Sequence, residues 1–235
     1  MKRWILGSLM ALGVMTGSGM PAMAGDRPVV VELFTSQGCS ACPPADALLN
    51  DLAKRGDVIA LALHVDYWDY LGWKDVFGSP YNSERQRTYA SVAGRRMVYT
   101  PQMVINGTDD VVGNRPKDVS ALIKKHRGTP DYVDLKVMRQ GNQLRITARA
   151  MDGLSGKLDI QLVELAPMSK VSITRGENAG GTFSYANVVL GMTELGEWDA
   201  RRPLDVSRTV KGKGPFVVLI QRDGLGAIEA AQIVR

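Results

Sequence analysis

The sequence predicts an α/β fold: a first half built around a parallel strand–helix–strand unit, followed by an antiparallel β-sandwich. Three observations carry that expectation. The run PVVVELFTS, Pro28 to Ser36, leads directly into the only two cysteines of the chain, Cys39 and Cys42, and a helical pattern follows them. A proline, Pro101, interrupts a later apolar run just ahead of the turn signal Asn106-Gly107. Beyond Thr129-Pro130 the apolar residues recur every second position, the period of a strand and not of a helix.

Each element follows from local chemistry. The β-branched run before the cysteines has the continuous apolar character of a strand buried on both faces. After Cys42, PPADALLNDLAKRG opens with prolines suited to a first helical turn, carries Ala45, Leu48, Leu49 and Leu52 on one face, and stops at Gly56. Asp57 to Val65 is a second apolar run, so the unit is βαβ with both thiols at the helix N-terminus. From Asp66 to Met97 an aromatic, irregular insert leads into a helix capped by Ser83 and running through Ala93. Val98 to Val104 reads as a strand in which Pro101 marks an edge, a bulge or a cis bond, because proline cannot donate to a ladder. Asn106-Gly107 makes the hairpin turn, Asp110 to Val112 returns, and Asn114-Arg115-Pro116 starts a helix ended by Gly128. Strands are then expected at Tyr132–Met138, Gln143–Met151, Lys157–Leu165, Lys170–Thr174, Ala186–Leu190 and Phe216–Arg222. The domain boundary falls near Pro130, giving a first domain over 25–130 and a β-sandwich domain over 131–235.

The first 24 residues read as a secretory signal. Lys2 and Arg3 precede an apolar run from Trp4 to Met15, and Ala22-Met23-Ala24 supplies a small-residue cleavage site. The run is well short of the roughly 20 residues a spanning helix needs, so cleavage is expected to leave a periplasmic or secreted chain with no stable membrane insertion. The net charge of +5 includes Lys2 and Arg3, so the mature excess is small. Without a basic stripe interleaved with aromatics, the composition argues against nucleic acid as a partner. The acidic trio Asp66, Asp69 and Asp75 reads as solvated surface.

Three roles are open to a cysteine pair one helical turn apart: a redox couple, metal ligands, or a static staple. Two cysteines in 235 residues are too few for a disulfide framework, and an exported chain lives where disulfides persist. A staple closing so short a loop removes little unfolded-state entropy beside the about 3 kcal/mol of a 15-residue loop. A helix N-terminus offers unpaired N–H groups and the positive end of the macrodipole, which favour a thiolate. Cys39 is then the nucleophile and Cys42 the more protected, resolving thiol. No cofactor is required, since the electrons reside in the sulfurs. A copper(I) site would need the cysteines with His64 or His126, or with methionines such as Met97 and Met103. His64 is otherwise a proton donor or a hydrogen-bonded histidine beneath the insert. Tyr67, Trp68, Tyr70 and Trp73 either receive a polypeptide, with Tyr67 and Trp68 as binding residues, or form a satellite core that anchors the insert.

Together, a strand, C-x-x-C-P at a helix start and a later Thr-Pro ahead of a hairpin resemble the thioredoxin fold over residues 28–127. More narrowly, ELFTSQGCSACPPAD, HVDYWDYLGW, YTPQMVING and RGEN with the following YANVV resemble the exported thioredoxin-like family catalogued as domain of unknown function family 1223. The resemblance implies a thioredoxin-like domain with an appended β domain. It implies a cis Thr100-Pro101 bond beside the cysteines, with the Thr100 backbone pairing an extended substrate. It also implies a buried carboxylate that accepts the proton of the resolving thiol; Glu32 is the nearest match, although the link from Glu32 to Cys39 is one residue longer than in thioredoxin, and a simple capped or solvent-facing strand carboxylate is the other reading of Glu32. Gly38 stands where thioredoxin has tryptophan. The function expected is thiol–disulfide exchange, with exported protein or peptide thiols and disulfides and a redox partner protein as partners. The alternatives are a non-catalytic binding scaffold and a copper(I) chaperone.

Overall fold

A computed structural model describes residues 27–235; the segment read as a signal lies outside the described residues. The first half contains β1 (Val29–Thr35), α1 (Pro43–Leu52), β2 (Val58–His64), α2 (Pro80–Val92), β3 (Gln102–Ile105), β4 (Asp109–Val112) and α3 (Pro116–Arg127). The second half contains β5 (Val133–Gln140), β6 (Gln143–Ala150), β7 (Leu158–Ser172), β8 (Thr182–Trp198), β9 (Leu204–Thr209), β10 (Phe216–Arg222) and β11 (Ile228–Val234). The fold is mixed α/β, with one large sheet and few helices.

β1 and β2 pair in parallel from Val29↔Val58 to Thr35↔His64, and every residue of both is buried. β3 runs antiparallel to β1 and β4 antiparallel to β3. The Asn106-Gly107 turn has positive φ at both residues, and a Cβ on Gly107 would lie 2.5 Å from the Gly226 carbonyl, so only glycine fits there. Odd positions Val29, Val31 and Leu33 of β1 join Ala45, Leu49 and Leu52 of α1 and Val119 and Ile123 of α3 in one cluster. Even positions Val30 and Phe34 join Tyr89 of α2, with Val217 and Leu219 of β10, in a second cluster on the opposite face.

The expected boundary at Pro130 does not interrupt the sheet. β8 lies beside β2 in parallel, meeting it at Ala62↔Val188, and the eight strands run in the order β11-β10-β7-β8-β2-β1-β3-β4. At this junction Asn187 adopts positive φ and its side-chain amide donates to the Ala60 carbonyl at 3.0 Å. β5, β6 and β9 form a separate three-stranded sheet, whose Leu144, Ile146 and Ala148 pack with Leu158 and Ile160 of β7 and Val218 and Ile220 of β10.

Local departures from the expected elements have local causes. α2 begins at Pro80, not at Ser83, whose side chain instead donates to Asp66 at 2.5 Å. β3 begins after Pro101, as a residue without an N–H requires. The two strands expected at Lys157–Leu165 and Lys170–Thr174 are one continuous β7, and the short strand expected at Ala186–Leu190 is the middle of the 17-residue β8. These two strands form a long hairpin that runs beyond the end of β10, paired out to Ser172↔Thr182, and its tip reaches the cysteine loop.

Candidate functional site

Cys39 and Cys42 are joined by a disulfide in the loop between β1 and α1. Cys39 retains 6% of its surface while Cys42, the N-cap of α1, retains none. Ser40 and Ala41 between them are exposed. The order of accessibility therefore matches the order expected of nucleophile and resolving thiol. The free N–H groups expected at the helix start are absent, however. Pro43 and Pro44 have no N–H, and the next two, Ala45 and Asp46, donate to the Cys42 carbonyl at 2.9 and 3.1 Å. The helix start offers its dipole but not the free donors expected of it.

The loop is clamped from three sides. The Gln37 N–H donates to Asp75 Oδ2 at 2.7 Å, and Trp73 Nε1 donates to Gln37 Oε1 at 2.8 Å, which ties the loop to the insert. From the tip of the β7–β8 hairpin, Asn178 Nδ2 donates to the carbonyls of both Gln37 and Cys39, at 2.9 and 3.0 Å. Neighbouring Gly176 has φ +74°, and a Cβ there would come within 3.1 Å of the Trp73 Cβ, so the RGEN motif is shaped to dock on the insert. On the third side is Trp68. A Cβ on Gly38 would meet the Trp68 carbonyl at 3.1 Å, while the Trp68 indole N–H donates to Thr100 Oγ1 at 2.8 Å. Trp68 thus spans from the cysteine loop to Thr100, whose bond to Pro101 is cis, as expected.

Glu32, expected near the resolving thiol, lies on the opposite face of the sheet from α1. Its even position on β1 places it with Val30 and Phe34, where Arg85 Nε donates to Oε1 at 2.7 Å and the Tyr89 hydroxyl donates to Oε2 at 2.6 Å. Gln221 joins this network through Arg85 at 3.0 Å. Glu32 is buried and fully occupied as an ion-pair partner. Tyr67 and Trp68 also use their polar ends internally. The Tyr67 hydroxyl donates to Gln86 at 2.9 Å, and burial pushes its phenol up to about 12. Of Tyr67, Trp68, Tyr70 and Trp73, only Tyr70 is exposed, at 76%.

The carboxylate on the cysteine side is Asp46. It falls on the buried stripe of α1 with Cys42, Ala45 and Leu49, at the helical i, i+3, i+4, i+7 spacing. Thr35 Oγ1 donates to Asp46 Oδ1 at 2.8 Å. Burial pushes the Asp46 carboxyl up to about 7; attraction from His64 and the Thr35 hydrogen bond oppose the shift, and Asp75 adds repulsion. His64, the register partner of Thr35, is wholly buried, with Nδ1 2.7 Å from Asp75 Oδ2 and its ring edge-on to Phe77 and Tyr185. Asp75 is itself 2% exposed and accepts from the Phe77 N–H, which corrects its reading as solvated surface. Asp69 and Asp66 are half-buried, and Asp69 accepts from the Asp75 N–H at 3.0 Å. Among the described residues, no group of three or more His, Cys, Asp or Glu side chains is placed to hold a metal ion.

Sequence reasoning missed Asp46 and Asp75, and quoted Asn178 only as part of RGEN. Asp46 was legible: an acidic residue on an apolar helical stripe is a buried carboxylate. Asp75 was not, since an aspartate in an irregular insert has no period to place it.

The model of the family described as "Protein of unknown function (DUF1223)" matches residues 30–221. The crystal structure of protein AGR_C_4864 from Agrobacterium tumefaciens is similar, with 34% sequence identity and a TM-score of 0.77, covering 88% of this chain and 93% of that one. HBP35 of Porphyromonas gingivalis is similar in fold, with a TM-score of 0.64 at 14% identity, covering 88% of this chain and 74% of that one. No curated protein matches the chain.

Proposed function

The chain belongs to the DUF1223 family, whose description assigns no activity, and from the geometry of its cysteine loop we propose that it is an exported thiol–disulfide oxidoreductase with a thioredoxin-like first half. The observation that carries the reading is the asymmetry of the pair: an edge-accessible Cys39 next to a sealed Cys42, with the buried, elevated carboxyl of Asp46 one helical turn beyond Cys42. The parallel β1–α1–β2 unit and the antiparallel β3–β4 hairpin support the thioredoxin-like part. The signal-like N-terminus supports export to the periplasm or beyond.

In the reducing direction the Cys39 thiolate attacks a client disulfide. A Cys39–client S–S bond forms, the client S–S bond breaks, and one client sulfur leaves as a thiolate that takes a proton from water. Cys42 passes its S–H proton to the Asp46 carboxylate, then attacks Cys39 Sγ. The Cys39–Cys42 bond forms, the Cys39–client bond breaks, and the second client sulfur leaves and is protonated. The pair loses two electrons and the client gains two. Run backwards, the same steps oxidise a client dithiol; the pair's potential against its surroundings sets the direction. Asp46 takes the role that the resemblance gave to Glu32, and the Thr100 backbone is the client's docking edge.

The test combines two measurements. In the reduced protein, a pH series of alkylation should label Cys39 before Cys42, with an apparent pKa below the free-thiol value of about 8.5. A Cys42→Ser variant mixed with a disulfide-bearing peptide should accumulate a Cys39–peptide mixed disulfide that the unaltered protein resolves. Preferential labelling of Cys42, or a Cys42→Ser protein that traps nothing, rejects the reading.

A further inference from the structure

His64 is the buried group that the exchange steps leave unused. Its Nδ1 faces Asp75 Oδ2 at 2.7 Å, which places the ring hydrogen there and leaves Nε2 as the end free to take a proton. Among the described residues Nε2 has no hydrogen-bond partner, although the side chain is wholly buried. An unpaired polar atom at that depth is costly, and the neighbouring Phe77 and Tyr185 show that an apolar or aromatic side chain would fill the space. The titratable groups around the ring are Asp75 from the insert, Asp46 from the start of α1, and Tyr185 from β8. Burial, with Asp46 and Asp75 nearby, pushes the Tyr185 phenol up, so it stays neutral. Asp46 shares the face of the ring, because the Thr35 hydroxyl that it accepts belongs to the register partner of His64.

We propose that His64, oriented by Asp75, is a positioning residue for the proton traffic of the cysteine pair: the imidazole holds or releases positive charge beside Asp46 as Cys42 gives up or regains its proton. The inference rests on the oxidoreductase reading. When Asp46 receives the Cys42 proton it becomes neutral; when the proton leaves, the carboxylate is stabilised by the imidazolium that Asp75 backs from the other side. The buried site then passes between states of nearly constant charge and never holds an isolated carboxylate under the disulfide. Asp75 serves a second purpose in the same arrangement. Its Oδ2 accepts both from the Gln37 N–H of the cysteine loop and at His64 Nδ1, so a change at the ring is felt one residue from the loop's Gly38.

The test follows the Asp46 carboxyl by ¹³C NMR through a pH titration, in oxidised and dithiothreitol-reduced protein, with and without His64→Gln, which keeps an amide for Asp75 but cannot take a proton. Asp46 should titrate near pH 7 in the oxidised protein, and the midpoint should rise by about one unit or more in His64→Gln, because an attracting positive charge is lost. The pH at which the pair's midpoint potential in glutathione buffer changes slope should move with it. Equal Asp46 titrations in the two proteins overturn the proposal. If His64→Gln does not fold, the ¹⁵N shifts of the imidazole in the unaltered protein decide: Nε2 protonation at a fixed pH near 7 should differ between oxidised and reduced protein, and identical spectra overturn it. Glutathione and dithiothreitol suffice for these measurements, so they stand whether or not Cys42→Ser traps a client peptide, which tests the oxidoreductase reading separately.

Discussion

Two buried carboxylates sit on opposite faces of the same sheet, and they are solved in opposite ways. On the α2 face, Glu32 meets Arg85 at 2.7 Å and the Tyr89 hydroxyl at 2.6 Å, and the guanidinium is further held by Gln221. On the α1 face, Asp46 has one hydroxyl, from Thr35, and the attraction of His64, whose Nε2 has no hydrogen-bond partner. The first network offsets desolvation with a full-charge partner and fixed geometry, so it locks α2 to β1 and β10. The second leaves the desolvation cost standing, and the carboxyl responds by rising to about 7. The same residue chemistry makes a structural bolt in one place and a titrating group in the other. What differs is whether the partner's charge is permanent.

The sharpest way to break that contrast is to remove the permanent charge. Arg85→Ala leaves Glu32 buried without its cation, and unfolding by denaturant should show a loss of about 3 to 5 kcal/mol. A loss under 1 kcal/mol would mean that Glu32 is not held as an ion pair.

A comparable effect of opposite sign is expected on the other face. A carboxyl raised from 3.8 to about 7 is neutral in the folded chain and charged in the unfolded chain between those values. Its contribution to stability is full below about pH 4 and is lost as pH rises to about 7, a change of about 4 kcal/mol in order of magnitude. Asp46→Asn, which cannot ionise, should therefore match the natural protein at pH 4 and exceed it at pH 8. Urea midpoints at the two pH values measure the difference, and a gap that is the same at both would remove Asp46 as a titrating group in this range. The smallest expected effect is at the hairpin tip. Asn178→Ala removes two hydrogen bonds to the cysteine loop, so it should cost about 1 to 2 kcal/mol and speed alkylation of Cys39. An unchanged rate would show that the β7–β8 hairpin touches the loop without restraining it.

Much of the first half was legible because its signals are local. The prolines at the start of α1, the Asn106-Gly107 turn and the apolar runs of β1 and β2 each specify their element within a few residues. The second half was legible in strand period but not in partnership. Lys170–Thr174 reads as a short strand, yet its first three residues continue β7, held there by pairing with β8. β9 and β11 were not anticipated; in β11, Ile-Glu-Ala-Ala-Gln-Ile-Val, the adjacent alanines break the period-two alternation, and the strand is held by pairing along β10.

By itself the sequence determined where the two thiols stand, that a strand delivers them and a helix leaves them, and that a proline sits on the later strand. Those are properties of neighbouring residues, written in steric limits and in periodicity. Which face of β1 looks toward the thiols is also a matter of parity, but which side chains wait there is not. Asp46, His64, Asp75 and Asn178 come from a helix, a strand, an insert and a distant hairpin, and only packing brings them under one loop. Glu32 shows the same limit: the resemblance offered it as a proton acceptor, and nothing local in the sequence pointed to Arg85, 53 residues away. Burial and charge pairing are sums over the whole fold, so the titrating carboxyl and the locked one could be told apart only once the chain had closed around both.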